Sequence, residues 1–107
     1  MTDIIIYTTS AKLMHKKGKM KDDPDFSPEG IYYWKLSRLP KDTKEGEKVY
    51  FATNGKIKGY FIIEEINKEE GIVFDSATWN DIRPIYTCKH VQGFKYFKEK
   101  KWNSNLT

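Results

Sequence analysis

The stretch Lys48-Val49-Tyr50-Phe51-Ala52-Thr53-Asn54-Gly55, continued by residues 56–66, carries the clearest structural signal in the sequence. Two runs rich in β-branched and aromatic residues flank Asn54-Gly55, and both of these residues tolerate the positive φ angles of a type I′ turn. The stretch therefore predicts a β-hairpin. In an unbroken second arm, Ile57, Phe61 and Ile63 share one face. The other face carries the remaining large apolar residues, Tyr60, Ile62 and Ile66, which predicts a strand covered on both sides.

Shorter strands are predicted on either side of this hairpin. They are short segments rich in β-branched or aromatic residues, at 3–8, 31–36, 72–74 and 93–97, with a further extended segment at 85–87. Polar segments containing Pro or Gly separate them, at 21–30, 40–46 and 67–71. The tail at 98–107 is expected to be partly mobile.

Little helix is expected. Leu13 and Met14 can anchor one helical turn after an N-cap at Ser10, whereas Gly18 weakens any longer helix. A second turn is predicted at residues 76–82, capped by Asp75 or Ser76 and ended by Pro84. Five to seven strands with one or two short helices indicate a mostly β (α+β) fold, specifically a small, partly closed barrel.

The composition limits the class of protein. A length of 107 residues suits one domain spanning residues 1–107, and 15% aromatic residues can fill its core. Cys88 is the single cysteine, so no internal disulfide forms, which fits a reducing compartment. No apolar run approaches the roughly 18–20 residues of a membrane helix, and the run Ile4-Ile5-Ile6-Tyr7 lacks a basic region before it. We therefore expect a soluble, cytoplasmic protein without a membrane partner.

Basic residues cluster in two places. The net charge is +4, from 19 basic and 15 acidic residues, which weakly favours polyanionic partners. Lys12, Lys16 and Lys17 belong to a lysine-rich segment that could follow a phosphate backbone, although lysine runs are usually solvated surface. A second group interleaves lysines with aromatic residues from Lys95 to Trp102. Such rings can stack on bases, or they can simply form the core.

Two tryptophans suit a pocket for a flat base. Such a pocket uses stacked rings with a few polar groups at the edge, and Trp34 and Trp79 can supply the rings unless they pack in the core. The polar groups are expected from residues that follow the first strand and from one arginine: Thr8, Thr9, Ser10 and Arg38.

Neither a metal site nor a catalytic site is predicted, and no cofactor is expected. Zinc takes about four ligands, whereas Cys88 and His90 stand without a second cysteine pair. As nucleophile and base, the same two residues lack any orienting motif. The acidic segment at 22–25 lacks the spacing and the closing Glu of a calcium loop.

Several segments resemble the PUA-like superfamily, especially its ASCH and EVE branches. They are Trp34-Lys35-Leu36-Ser37-Arg38-Leu39-Pro40, Gly46-Glu47-Lys48-Val49-Tyr50-Phe51, Gly55-Lys56-Ile57-Lys58-Gly59-Tyr60 and Gly93-Phe94-Lys95-Tyr96-Phe97. These families carry an aromatic strand, a Gly-Asp-x-Val-x-Phe-type strand entry, an "I-x-G" strand and a "G-F-R-Y" ending. The resemblance covers about Ile31 to Phe97. It implies a pseudo-barrel, a pocket near the first strand, and binding of RNA or a modified base.

The chain also departs from this pattern. ASCH-type hydrolases resemble one another in a Glu-x-Arg pair near the second strand, whereas Leu36 and Arg38 stand at the matching positions here. Glu47 replaces the usual Asp. Three functions stay open: a binding module for RNA, other single-stranded nucleic acid or a modified nucleoside; a small hydrolase using Lys12 beside Thr8 or Thr9; and a protein-interaction module whose aromatic residues are all core.

Overall fold

The computed structural model describes residues 2–17, 29–87 and 92–97. Most of the predicted loop at 21–30, the residues Cys88 and His90, and the predicted tail at 98–107 lie outside these ranges. The described elements are, in chain order, β1 (Asp3–Thr8), α1 (Ser10–Lys16), β2 (Ile31–Trp34), β3 (Lys48–Thr53), β4 (Lys56–Asn67), β5 (Gly71–Asp75), a 3₁₀ turn (Ser76–Thr78), β6 (Asn80–Tyr86) and β7 (Phe94–Phe97). No helix among these residues is long and apolar enough to cross a bilayer.

The strands form one mixed sheet in the order β2-β5-β4-β3-β1-β7, and β6 also pairs with β4. β1 and β3 run parallel, and every other described pair is antiparallel. The mostly β class is therefore confirmed. Within the described ranges the outer strands β2 and β7 do not pair with each other, so the sheet is open.

The hairpin is confirmed at the predicted position. Asn54 and Gly55 have φ angles of 51° and 81°, as a type I′ turn requires. From this turn the β3–β4 ladder extends from the pair Thr53–Lys56 to the pair Lys48–Ile62. The predicted first, fifth and last strands are confirmed as β1, β5 and β7.

Bulges in β4 correct the predicted distribution of its apolar faces. Lys58 is an extra residue in β4 relative to β3, and Glu64 is an extra residue relative to β5. Each extra residue reverses which side the following side chains face. Ile57 therefore packs beside Tyr60 in one apolar cluster, whereas Phe61, Ile63 and Ile66 belong to the other.

Three further predictions are corrected. The residue that caps α1 is Thr9 rather than Ser10, because the Thr9 hydroxyl accepts a hydrogen bond from the backbone N–H of Lys12 at 3.2 Å. The second strand ends at Trp34 rather than at residue 36. The predicted helical turn at 76–82 shrinks to the 3₁₀ turn capped by Asp75, and Pro84 lies within β6. Pro84 falls in an irregular part of that ladder, where its missing N–H costs no pairing.

Apolar clusters cover both faces of the sheet. The main core is built around three rings, with Phe61 stacked on Phe74 at 4.3 Å and meeting Phe51 edge-on at 5.5 Å. The second cluster, on the other face, is centred on Tyr50, whose ring lies 4.7 Å from that of Phe97. Leu13 joins α1 to the main core.

Carboxyl groups gather where β3 begins. Burial raises the pKa of Glu47 above its ordinary value, and the neighbouring charge of Asp3 raises it further. Glu47 Oε1 is buried without a hydrogen-bond partner among the described residues. Asp3 is held in place because its Oδ1 accepts a hydrogen bond from the backbone N–H of Lys48 at 2.9 Å.

Glu47→Gln is expected to reduce the pH dependence of stability. A raised pKa means that the folded chain holds this proton more tightly than the unfolded chain, so the stability it contributes is present below the ordinary pKa and is lost as the pH rises through the raised one. The variant should therefore be more stable than the wild type at neutral pH and similar to it at about pH 4. Urea unfolding at both pH values measures this, with Glu45→Gln, at an exposed position nearby, as the control. Equal changes in the two variants would contradict it.

Candidate functional site

A groove separates α1 from β6, with a volume of about 390 Å³. Its α1 side is formed by positions 10, 13, 14 and 17, which recur at the spacing of one helix face. The complete lining is Ser10, Leu13, Met14, Lys17, Thr53, Lys58, Asp81, Ile82 and Pro84. We call this site the α1–β6 groove.

The N-cap and one apolar anchor place α1 beside the groove. Thr9 begins the helix, with its carbonyl accepting from the backbone N–H of Leu13 at 3.0 Å. Leu13 is buried in the main core, so the helix is fixed against the sheet. Met14, one residue on, is 41% exposed and lines the groove.

Trp79 is fixed next to the groove by contacts on several sides. Its Nε1 donates to Asp81 Oδ1 at 2.8 Å, and its ring lies 4.9 Å from the Phe61 ring in the main core. Position 59 lies against the Trp79 ring and accepts only glycine, because a Cβ added to Gly59 would come within 2.6 Å of that ring. The Lys17 ammonium lies 4.7 Å from the ring centroid. Trp79 therefore supports the groove and orients Asp81.

The groove is lined by two cationic side chains and one carboxylate. Lys17 and Lys58 line it together with Asp81, and no ion pair joins Asp81 to either lysine within the described part of the chain. Hydroxyls of Ser10 and Thr53 add polar groups. Charges of both signs in one concave site allow a ligand to bring its own anion and its own hydrogen-bond donors.

Lys16, the last residue of α1, and Trp34 belong to a separate cluster of a lysine and aromatic rings. The Lys16 ammonium lies 5.3 Å from the Tyr33 ring and 5.9 Å from the Trp34 ring. Trp34 is half-buried, and its ring meets the Phe51 ring edge-on at 5.5 Å. It therefore packs against the main core. Tyr33 is 49% exposed and offers the free ring surface here.

The remaining predicted residues do not line the α1–β6 groove. Arg38 lies elsewhere, 5.2 Å from the Phe94 ring, beside a smaller cavity of about 130 Å³. Thr9 is occupied as the cap and Lys12 is exposed on α1. Thr8 pairs with Thr53 at the ends of the parallel strands, and its hydroxyl is buried without a hydrogen-bond partner among the described residues.

Sequence reasoning missed Lys58, Thr53 and Asp81. They lie on three different strands, and only the folding of β3, β4 and β6 brings them together. One signal was present: Trp79 and Asp81 are two residues apart, the spacing at which extended side chains share a side.

The chain matches no protein-family model, no curated protein and no solved structure. Among the described residues, no group of three or more His, Cys, Asp or Glu side chains is arranged to hold a metal ion. The chemistry of the site therefore has to be argued from the lysines, the carboxylate and the aromatic rings described above.

Proposed function

We propose that the chain binds RNA or another single-stranded nucleic acid, or a modified nucleoside of the same chemistry, in the α1–β6 groove. The observation that carries this is the convergence of Lys17 and Lys58 on one cavity with apolar walls. Lysines hold phosphates as point charges, and apolar walls accept a flat base. The proposal includes a PUA-like pseudo-barrel fold, which the resemblance of the hairpin segment supports. It also includes a cytoplasmic location, which the single cysteine supports.

Exposed aromatic surface continues beyond the groove along β6. Tyr86 lies two residues after Pro84 and is 75% exposed, and the Lys56 ammonium lies 5.4 Å from its ring. Two residues of an extended strand span about 7 Å, so Tyr86 lies close to the end of the groove. A ring with an adjacent lysine at this distance can stack one further base and hold its phosphate, which favours an extended strand as the ligand.

The hydrolase alternative has less support from the geometry. It needs Lys12 beside a hydroxyl of Thr8 or Thr9, yet Thr9 is engaged at the helix cap and Lys12 lines neither cavity. Leu36, at the position of the family's carboxylate, is buried in the main core. We therefore favour binding over hydrolysis.

Lys17→Ala/Lys58→Ala is expected to weaken binding of labelled single-stranded RNA by about 10-fold or more at low salt. Two lost phosphate contacts should also reduce the slope of log K against log salt by about 1.4, at about 0.7 per contact for single strands. Fluorescence anisotropy across a salt series measures both quantities, with single-stranded DNA in a parallel series.

The control removes the same charge elsewhere. Lys44→Ala/Lys68→Ala changes two exposed lysines that do not line the groove, and it should leave the affinity and the slope close to those of the wild type. Equal weakening in both double variants would indicate general attraction to a basic surface. Absence of oligomer binding by the wild type at low salt would overturn the proposed function.

A further inference from the structure

We infer that the α1–β6 groove recognises a guanine base, with Asp81 as the residue that determines this specificity. The inference rests on the proposed function and narrows its ligand to a guanine nucleotide. It rests on the single carboxylate among the residues that line the groove, that of Asp81. The other lining residues are two lysines and six uncharged residues: Lys17, Lys58, Ser10, Leu13, Met14, Thr53, Ile82 and Pro84.

Asp81 is exposed and is oriented by one side-chain hydrogen bond, so it keeps free acceptor sites. Its backbone is paired opposite Gly59 in the β4–β6 ladder, and its Oδ1 accepts from Trp79 Nε1 at 2.8 Å. An ionised carboxylate has about four lone-pair sites and no donor. The Trp79 bond uses one of them, so both oxygens can still accept from a ligand.

Of the four RNA bases, only guanine complements such a group with two hydrogen bonds. Its Watson–Crick edge places the N1–H and the N2 amine side by side, which gives two adjacent donors. Adenine and cytosine place a single donor group beside an unprotonated ring nitrogen, and uracil places its N–H between two carbonyl oxygens. A carboxylate bonded to those edges would face an acceptor at close range, which is unfavourable.

The rest of the groove fits a nucleotide held in this way. Apolar side chains of α1 and of β6 face the cavity from its two sides, Leu13 and Met14 from the helix and Ile82 and Pro84 from the strand. A flat base stacked between these apolar side chains would present its edge to Asp81. Lys17 and Lys58 remain for the phosphate, and the volume of about 390 Å³ lies within the range of small-molecule sites.

The test compares guanosine with inosine, which lacks only the N2 amine. Short uridine oligomers carrying one central guanosine or one central inosine are titrated against the full chain. Loss of one hydrogen bond to a charged group should weaken binding about 10-fold. Guanosine and inosine monophosphates are titrated in parallel. A preference in the oligomers assigns the site to a strand, and a preference confined to the monophosphates assigns it to a free nucleotide.

Asp81→Asn should abolish this preference. The Trp79 indole N–H can still donate to the amide oxygen of the asparagine, which then presents its N–H groups, rather than an acceptor, to the donors of the base. The control Glu69→Gln removes one negative charge at an exposed turn outside the groove and should retain the preference. Equal binding of guanosine and inosine by the wild type would overturn the inference while leaving the proposed function in place. Absence of binding to every oligomer and monophosphate would overturn both.

Discussion

Phe61→Ala is expected to lower the free energy of unfolding by about 3–5 kcal/mol, the usual cost of deleting a buried phenyl ring. The Phe61 ring has no exposed surface, stacks on Phe74 at 4.3 Å, and contacts both Phe51 and Trp79. Its removal leaves a cavity under three aromatic neighbours held by separate strands and by the segment before β6. Because small domains are stable by only about 5–15 kcal/mol, this single change should bring the chain close to unfolding at 37 °C.

Urea unfolding followed by circular dichroism measures this effect. Tyr86→Ala, which removes a ring that is 75% exposed, should cost less than about 1 kcal/mol. Phe61→Leu, which retains most of the volume, should fall between the two. Similar losses for Phe61→Ala and Tyr86→Ala would contradict the position of Phe61 at the centre of the main core.

Gly71→Ala is expected to cost about 2–5 kcal/mol, because two unfavourable terms act together. Gly71 has a φ of 86°, which costs an L-residue about 1–2 kcal/mol. An added Cβ would also overlap the carbonyl oxygen of Trp34 and come within 2.9 Å of Lys35 Cα. Both are backbone atoms, so β2 would have to move away from β5, with an overpacking cost of about 1–3 kcal/mol.

Gly46→Ala separates the two terms. Gly46 has a φ of 89°, but an added Cβ meets nothing within 4 Å. It should therefore show the cost of the backbone angle alone. The difference in unfolding free energy between the two variants measures the overlap with β2. If Gly71→Ala lowers the free energy of unfolding no more than Gly46→Ala does, the close approach of β2 and β5 at this point is contradicted.

Local signals were sufficient for much of the fold. Asn54-Gly55 fixes a turn through the φ angles of two adjacent residues, so the hairpin could be predicted from the sequence alone. β1 and β7 were predictable because they are short and apolar. Asp75 could be predicted as one of two candidate caps, because a short acidic side chain readily accepts from a nearby backbone N–H, and it accepts that of Ala77 at 2.9 Å.

The errors arise where distant pairing overrides local preference. The faces of β4 depend on bulges at Lys58 and Glu64, and these bulges follow from the register of β4 against β3 and β5 rather than from the residues themselves. Pro84 is a sound signal for the end of a helix, but it is equally compatible with an irregular strand that pairs on one side.

The candidate site was predictable only where its residues are close in sequence. Lys17 was recognised as part of a lysine-rich segment, Ser10 as a polar residue after the first strand, and Trp79, beside the groove, as a ring that could stack on a base. Lys58 and Asp81 are single charged residues on separate strands, without any distinguishing neighbour pattern. Their shared position depends on the β4–β6 pairing, which the predicted helical turn at 76–82 would have prevented.

The position of β1 sets the order in which this sheet can assemble. β1 is paired on one side with β3, which begins at Lys48, and on the other with β7, which begins at Phe94. Closing both contacts therefore requires nearly the whole chain, whereas the β3–β4 hairpin needs only local contacts. Loop-closure entropy makes such distant pairings slow. During synthesis, β1 is consequently the first of the described strands to be made and the last to gain both of its neighbours.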